Sequence, residues 1–197
     1  MTTQKKYELL QNDTINHNGR TLYRIKAITT FGTVFAGTLG GYIEKESNLK
    51  HLGNAWVYDN AKVYDSAEVY GNAEVWGSAE VYGNAKVWGN AEVWGSAEVY
   101  GNAKVYDSAE VWGSAKVRSF AVLSERKMIF WASNVGTENG TLTVYNGKDG
   151  LLVTRGCFTG TVEEFLAKSD EVHDEKTKRE YQLLIEVAKS RILGEAT

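Results

Sequence analysis

Eleven consecutive six-residue repeats occupy residues 54–119 and constrain the fold more than any other feature of the chain. Each repeat has alanine at its second place and valine at its fourth, from Ala55 and Val57 to Ala115 and Val117. A helix needs an apolar period near 3.6 and a coiled coil a period of seven, so a period of six fits neither. Alanine and valine two residues apart instead share one face of a short strand, and the Asp/Gly and Asn/Ser residues between strands suit tight corners. The pattern predicts a β-solenoid whose coils each contain three strands and three corners.

These hexads resemble the repeats of the hexapeptide-repeat superfamily, whose members form left-handed parallel β-helices and include trimeric acyltransferases. The left hand of the coil is implied by this resemblance, because the spacing alone gives only a solenoid. The hexads make about 3.7 coils, and at ~4.8 Å per coil the rod would be about 18 Å long. We therefore expect a mainly β fold with three parts. They are an N-terminal β cap over 1–53, the β-helix over 54–119 and a small C-terminal α+β module over 120–197.

Both flanks carry turn and helix signals that suit covers for the open ends of such a rod. Asn18-Gly19 predicts a hairpin turn in the N-terminal segment. In the C-terminal segment, strands are predicted over 128–131, 142–145 and 151–154. Thr161 and Glu164 form a capping box that predicts a helix near 161–173, and an apolar stripe predicts a second helix. That stripe consists of Tyr181, Leu184, Ile185, Ala188 and Ile192.

The flanks also extend the resemblance. The segment 31–43, rich in glycine, looks like the start of hexapeptide proteins of bacteria and phages that are labelled transferases or polymer-forming cytoskeletal proteins. The segment 156–165, with Tyr181 and Ile185 further on, looks like a module appended to such repeats in phage and prophage proteins. The resemblance implies a phage or prophage accessory protein in the cytoplasm of an infected or lysogenic bacterium.

Composition and charge argue against several other classes of protein. The formal net charge is -3, whereas a general nucleic-acid binder is usually basic, so we expect no direct nucleic-acid binding. Neither a signal peptide nor an apolar run of ~20 residues is present, which argues against secretion and a membrane span. Cys157 is the single cysteine and excludes an internal disulfide framework.

Counting by 18 sorts the outward side chains of the hexads onto three faces. The first face stacks Tyr58, Trp76, Trp94 and Trp112 beside Trp56, Glu74, Glu92 and Glu110. The second face stacks Tyr64, Tyr82, Tyr100 and Arg118 beside Lys62, Glu80, Glu98 and Lys116. The third face stacks Tyr70, Trp88 and Tyr106 beside Glu68, Lys86 and Lys104.

The aromatic stacks admit two interpretations. They could simply rigidify the surface by offset ring packing. Alternatively, so much aromatic surface together with a row of like charges on the first face suits a contact between subunits. We expect a homotrimer in which the first face meets the third face of the next subunit, a heterologous contact that closes a ring. The predicted interface residues are Tyr58, Glu74, Trp76, Lys86, Trp88, Glu92, Trp94, Lys104, Tyr106, Glu110 and Trp112.

The residues that an enzyme of this superfamily would need are missing from the hexads. Acyl transfer requires a histidine general base beside the coil, but His17, His51 and His173 all lie outside the repeats. The related zinc-dependent carbonic anhydrases hold their metal with three histidines on adjacent coils, which these hexads do not supply. His17 precedes a turn, so we expect it to be exposed, and we expect Cys157 to be structural. We predict no catalytic, cofactor-binding or metal-binding residues.

The sequence thus favours a non-enzymatic, homotrimeric scaffold or binding protein. Its partner would be an unidentified host protein or small ligand, in keeping with a counter-defence role. The predicted partner-binding residues in the C-terminal module are Trp131, Arg155, Phe158 and Tyr181. Two alternatives stay open: an acyltransferase-like enzyme, and a glycan-binding module that uses Trp76, Trp94 and Trp112 as stacking platforms.

Overall fold

The computed structural model describes residues 4–194, which form a three-sided parallel β-solenoid with a hairpin at one end and an α+β unit at the other. The hairpin contains β1 (Tyr7–His17) and β2 (Arg20–Ala27). The solenoid contains β3 (Leu39–Ile43), β4 (Leu49–Gly53), β5 (Trp56–Val57), β6 (Lys62–Val63), β7 (Glu68–Gly71), β8 (Glu74–Val75), β9 (Glu80–Val81), β10 (Lys86–Val87), β11 (Glu92–Val93), β12 (Glu98–Val99), β13 (Lys104–Val105), β14 (Glu110–Val111), β15 (Lys116–Val117) and β16 (Val122–Leu123). The C-terminal unit contains β17 (Ile129–Val135), β18 (Gly140–Gly147), β19 (Gly150–Arg155), β20 (Phe158–Thr161), α1 (Val162–Val172) and α2 (Glu175–Leu193). The predicted mainly β architecture is confirmed.

Each face of the solenoid is one parallel sheet in which successive strands lie 18 residues apart, so that Val75, Val93 and Val111 pair in turn. The first face is the sheet β5-β8-β11-β14. The second face is β3-β6-β9-β12-β15, and the hairpin extends it by antiparallel pairing of β2 with β3. The third face is β4-β7-β10-β13-β16. The stacking of outward residues follows directly from this register.

The interior matches the prediction from the hexads. Every alanine and valine at the second and fourth places of the eleven hexads is at most 1% exposed. Side chains of one coil lie directly over those of the next, which excludes water and gives the solenoid a continuous apolar core. The repeated alanine and valine therefore fill the inside of the solenoid.

The predicted number of coils was too small, because the solenoid has about five turns. The additional strands β3, β4 and β16 lie outside the hexads that carry alanine and valine. Their inward places hold Ile43, Leu49 and Leu123, all fully buried. The pairing of Leu49 with Val69 also departs from the 18-residue spacing, after a short 3-10 helix at Glu46–Asn48. Because their side chains are larger and their spacing is irregular, the hexad pattern did not predict these strands.

At the N-terminal end, the hairpin and the chain after it close the solenoid. The predicted hairpin is confirmed, with its turn at Asn18 and Gly19. The ammonium group of Lys6 donates hydrogen bonds to the carbonyl oxygens of Gly53 (3.2 Å) and Ala55 (2.8 Å), which have no coil before them. Trp56 was expected on the outside but is fully buried, because this end cap covers the first strand of its sheet.

At the C-terminal end, β18 covers two of the three final strands. The hydroxyl oxygen of Thr143 accepts a hydrogen bond from the amide of Lys116 at 3.1 Å, and that of Tyr145 accepts one from the amide of Arg118 at 3.3 Å. The side chain of Asn146 donates to the carbonyl of Val122 in β16. Polar side chains thus satisfy backbone groups that a further coil would have paired.

The opposite side of the β17-β18-β19-β20 sheet packs against both helices. The predicted capping box is confirmed: the Thr161 hydroxyl accepts from the amide of Glu164 at 3.2 Å, and the Glu164 carboxylate accepts from the amide of Thr161 at 2.8 Å. The predicted stripe is also confirmed, since four of its five residues are at most 7% exposed. These four are Tyr181, Ile185, Ala188 and Ile192.

Candidate assembly faces and a cleft in the C-terminal unit

The indole rings of the first face form a continuous stack. Ring centroids lie 5.1 Å apart between Trp76 and Trp94 and again between Trp94 and Trp112. Trp131 from β17 meets Trp112 at 4.3 Å with the two ring planes nearly perpendicular. Trp112 is 40% exposed, whereas Trp76 and Trp94 are half-buried. The stack therefore exposes less aromatic surface than its composition suggested.

This stacking bears on the glycan alternative. A sugar stacks on the flat face of a ring, but both faces of Trp94 are covered by Trp76 and Trp112. Trp112 has one face on Trp94 and is in contact with Trp131 as well. The geometry of the first face thus disfavours these residues as platforms for sugar rings.

Carboxylates form a parallel row on the same face. Glu74, Glu92 and Glu110 pair in register along the sheet, so like charges face each other. Arg126 forms an ion pair with Glu110, and the hydroxyl of Tyr58 donates to Glu74 at 3.2 Å. Glu92 has no ion-pair partner among residues 4–194. Burial, and after it the neighbouring carboxylates, raise the pKa of Glu92 above its ordinary value.

The third face carries the opposite charge in its C-terminal half. Lys86 pairs in register with Lys104, and Lys104 is exposed without an ion pair to any described residue. Lys86 lies 3.7 Å from Glu68, which also pairs with Lys50. Stacked rings run alongside, with Tyr70, Trp88 and Tyr106 at centroid separations of 5.6 and 4.5 Å.

The second face is partly occupied by the chain itself. His17, which was expected to be exposed, lies at the tip of the hairpin with its Nε2 3.0 Å from the Glu80 carboxylate, and its side chain is 22% exposed. Lys62 and the hydroxyl of Tyr64 bind the same carboxylate at 3.1 and 2.9 Å. Burial would raise the pKa of Glu80, but these hydrogen bonds outweigh it and hold that pKa below its ordinary value. Sequence reasoning missed this cluster because the hairpin brings together residues that are 63 positions apart.

Three of the four predicted partner-binding residues converge on one cleft of about 300 Å3 in the C-terminal unit. Arg155 donates from Nε to the hydroxyl of Tyr181 at 3.1 Å. The ring centroid of Phe165 lies 5.5 Å from that of Phe158 and 5.1 Å from that of Tyr181. Trp131 lies elsewhere, against Trp112. The sequence predicted these residues as partner-binding but predicted no cleft, and it did not indicate Phe165, which belongs to the same wall.

The three histidines lie in different parts of the molecule. His51 lies at the N-terminal end, where its Nδ1 accepts from the amide of Lys6 at 3.3 Å and burial lowers its pKa. His173 follows α1 and lines the cleft together with the exposed Cys157. Within residues 4–194, no three side chains of His, Cys, Asp or Glu are grouped as a metal site requires. Neither helix in this part of the chain is long and apolar enough to span a membrane.

Comparison with known proteins gives one short similarity. A 38-residue stretch is 50% identical to a protein named Uncharacterized acetyltransferase YdcK from Escherichia coli (strain K12). The stretch covers 19% of this chain and 12% of the length of that protein. No family model matches the chain. The similarity and the solenoid fit the hexapeptide-repeat superfamily.

Proposed function

We propose that the protein is a non-enzymatic scaffold or binding protein that assembles as a homotrimer through its first and third faces. The observation that carries this proposal is the complementary charge left on the two faces. Glu92 on the first face and Lys104 on the third face both lack an ion-pair partner among residues 4–194. The second face, by contrast, is partly covered by the hairpin, and Glu80 and Glu98 on it are paired with Lys62 and Lys116 of the same face.

The heights of these charges along the solenoid support a ring with parallel subunits. In such a ring, residues at equal height meet. A coil of 18 residues rises ~4.8 Å, so Glu92 lies about 1.6 Å above Lys86 and about 3.2 Å below Lys104. The carboxylate of one subunit would therefore face the interval between two ammonium groups of the next. Trp94 would face the interval between Trp88 and Tyr106 in the same way.

Charge reversal tests the interface. We expect the wild-type chain to have three times its protomer mass of 21.9 kDa in size-exclusion chromatography with light scattering. Glu92→Lys should produce monomers, because it places a third positive charge beside Lys86 and Lys104. The double variant Glu92→Lys/Lys104→Glu should recover the trimer, since the charges are exchanged across the same contact.

Glu186→Lys is the matched control, because it makes the same charge change at an exposed position on α2. Its mass should equal that of the wild type. A monomeric wild type, or a trimer that survives Glu92→Lys, would contradict the proposed assembly.

The short similarity to a protein named as an acetyltransferase keeps one alternative, an acyltransferase-like enzyme. His17 contacts a hexad directly, because its ring is already bound to the carboxylate of Glu80. Titration calorimetry with acetyl-coenzyme A distinguishes the two functions. Binding that is lost in His17→Gln would support the enzyme, whereas the scaffold predicts no heat of binding. The phage origin and the counter-defence role remain part of the proposal and rest on the resemblance of the flanking segments.

A further inference from the structure

The cleft in the C-terminal unit contains a half-buried arginine without an ion pair to any described residue and a buried hydroxyl without a hydrogen-bond partner in residues 4–194. Arg155 donates to the hydroxyl of Tyr181 and to the carbonyl oxygen of Val135, both neutral, and no carboxylate among the described residues forms an ion pair with it. Ser169 on α1 is 3% exposed, and its hydroxyl has no hydrogen-bond partner among residues 4–194. Both residues line the same cleft.

We infer that this cleft binds a small apolar molecule that carries one anionic group. The inference concerns a different surface from the proposed trimer contact and does not depend on it. Small-ligand sites typically measure roughly 300–1,000 Å3 and combine an apolar lining with a few polar groups that fix orientation. A cleft of about 300 Å3 suits a ligand at the small end of that range.

The guanidinium of Arg155 supplies the anion-recognising group. Its orientation is fixed by the two hydrogen bonds to Tyr181 and Val135. A side chain at Gly140 would collide with the guanidinium, and one at Gly136 would collide with the hydroxyl of Tyr181. The backbone is thus shaped around this pair. A half-buried guanidinium held in place by neutral acceptors suits a carboxylate or sulfonate that arrives with the ligand.

The hydroxyl of Ser169 supplies a second, weaker polar contact. Buried hydroxyls in native proteins almost always have a partner, so one without a partner needs an explanation. An acceptor atom of the bound ligand would provide it.

The remaining wall recognises the apolar part of the ligand. The rings of Phe158, Phe165 and Tyr181 pack in series along it. Val172 lines the rim of the cleft and is 55% exposed. A ligand with a phenyl or short alkyl body would cover these groups.

Calorimetry with matched anionic and neutral probes tests the inference. The anionic probes are 4-phenylbutyrate, 2-naphthoate and octanoate, and the neutral probes are their amides. We expect at least one anion to bind at millimolar concentration or below, and its amide to bind at least about tenfold more weakly, because hydrogen bonds to a charged group are roughly twice as strong. No binding by any anion, or equal binding by anion and amide, would overturn the inference.

Two variants and a matched control locate the binding. Val172→Trp should abolish it by filling the cleft, whereas Val187→Trp, which adds the same bulk to an exposed position of α2 outside the cleft, should leave it unchanged. Ser169→Ala should weaken binding about three- to tenfold without lowering the thermal midpoint, since the lost hydroxyl had no partner in the unliganded protein. Equal affinity in Val172→Trp and wild type would mean that the probe binds elsewhere. None of these variants should alter the oligomer mass, so failure here is distinguishable from failure of the assembly.

Discussion

At the scale of single residues, Lys6 caps backbone carbonyls, which is an unusual role for a lysine. Its ammonium group binds two backbone carbonyls at the N-terminal end of the solenoid and lies 4.8 Å above the ring of Phe31. Burial lowers the pKa of Lys6 from 10.5 to about 8. A neutral amine still has two N–H groups and can keep both hydrogen bonds, so the residue can cap the carbonyls without its charge.

We predict that stability rises with pH in a window set by Lys6. Between its folded pKa of about 8 and its unfolded value near 10.5, the unfolded chain holds up to one more proton than the folded chain. The free energy of unfolding should therefore increase by about 1 kcal/mol from pH 8 to pH 9. Urea unfolding should show this rise in the wild type and in Lys5→Met, but not in Lys6→Met. An identical pH profile in Lys6→Met would refute the assignment.

At the scale of secondary-structure elements, the final coil is covered unevenly. Amides of β11 donate to the coil that follows, for example from Glu92 to the carbonyl of Ala109. In residues 4–194 no later coil follows for the corresponding amides of β14, which is the edge strand of its sheet. In β15 the same role is taken over by the hydroxyls of Thr143 and Tyr145. Side chains of β18 thus substitute for a missing strand on the second and third faces but leave the edge of the first face open.

Removal of one of these hydroxyls should show how much its hydrogen bond contributes to the free energy of unfolding. Thr143→Val keeps the shape of the side chain but leaves the amide of Lys116 without a partner, which should lower the free energy of unfolding by about 1–2 kcal/mol. Amide exchange at Lys116 should become faster. Thr141→Val, on the same side of β18, removes only a bond to the hydroxyl of Ser133 and should change stability by less than about 0.5 kcal/mol. Equal effects of the two variants would show that capping by Thr143 contributes little.

At the scale of the whole molecule, two apolar cores lie on either side of the C-terminal sheet. One fills the solenoid and reaches Tyr145, and the other joins β17–β20 to the helices. The sheet belongs to both, since Thr143 and Tyr145 face the solenoid whereas Leu142 and Val144 pack under the helices. We therefore expect that the helices can loosen while the coils keep their own core.

A substitution that leaves a cavity in the second core should show whether the two cores unfold independently. Ile185 is 2% exposed, and Ile185→Ala should destabilise the packing of the helices by about 2–5 kcal/mol. Hydrogen exchange followed by mass spectrometry should become faster in α1, α2 and β17–β20. Exchange in the central coils, around Val93, should stay at the wild-type rate. Equal acceleration in both regions would mean that the molecule unfolds as one unit.

The sequence predicted those parts of the molecule in which local rules and tertiary packing agree. Hexads such as the one containing Ala91 and Val93 revealed the solenoid, because each repeat has the same environment on all sides. Trp56 has the same place in its hexad as Glu74, but it belongs to the first strand of its sheet, where the end cap covers it. Its burial depends on residues such as Phe31 that meet it only in the folded chain. For the same reason the binding of His17 to Glu80 could not be predicted from spacing.

The candidate sites also differ in whether they follow from the repeat or depend on tertiary packing. The predicted rows of the first and third faces followed from the repeat, and the structure stacks them in register. The sequence predicted three of the residues that line the cleft but not the cleft itself, because Arg155 and Tyr181 meet only when the C-terminal sheet packs on α2, which no period encodes. Ser169 gave no signal in the sequence, since a serine on a helix is usually solvated.

Because the middle coils share one register, the distance between the two ends of the solenoid can change only by whole coils. Duplication or deletion of 18 residues would move the hairpin tip and the ligand cleft apart or together by ~4.8 Å, without altering either cap. Each cap would also stay on the same side of the solenoid, because 18 residues make one complete turn around its axis. A lineage of these proteins could thus adjust its length in fixed increments while both end caps stay as they are.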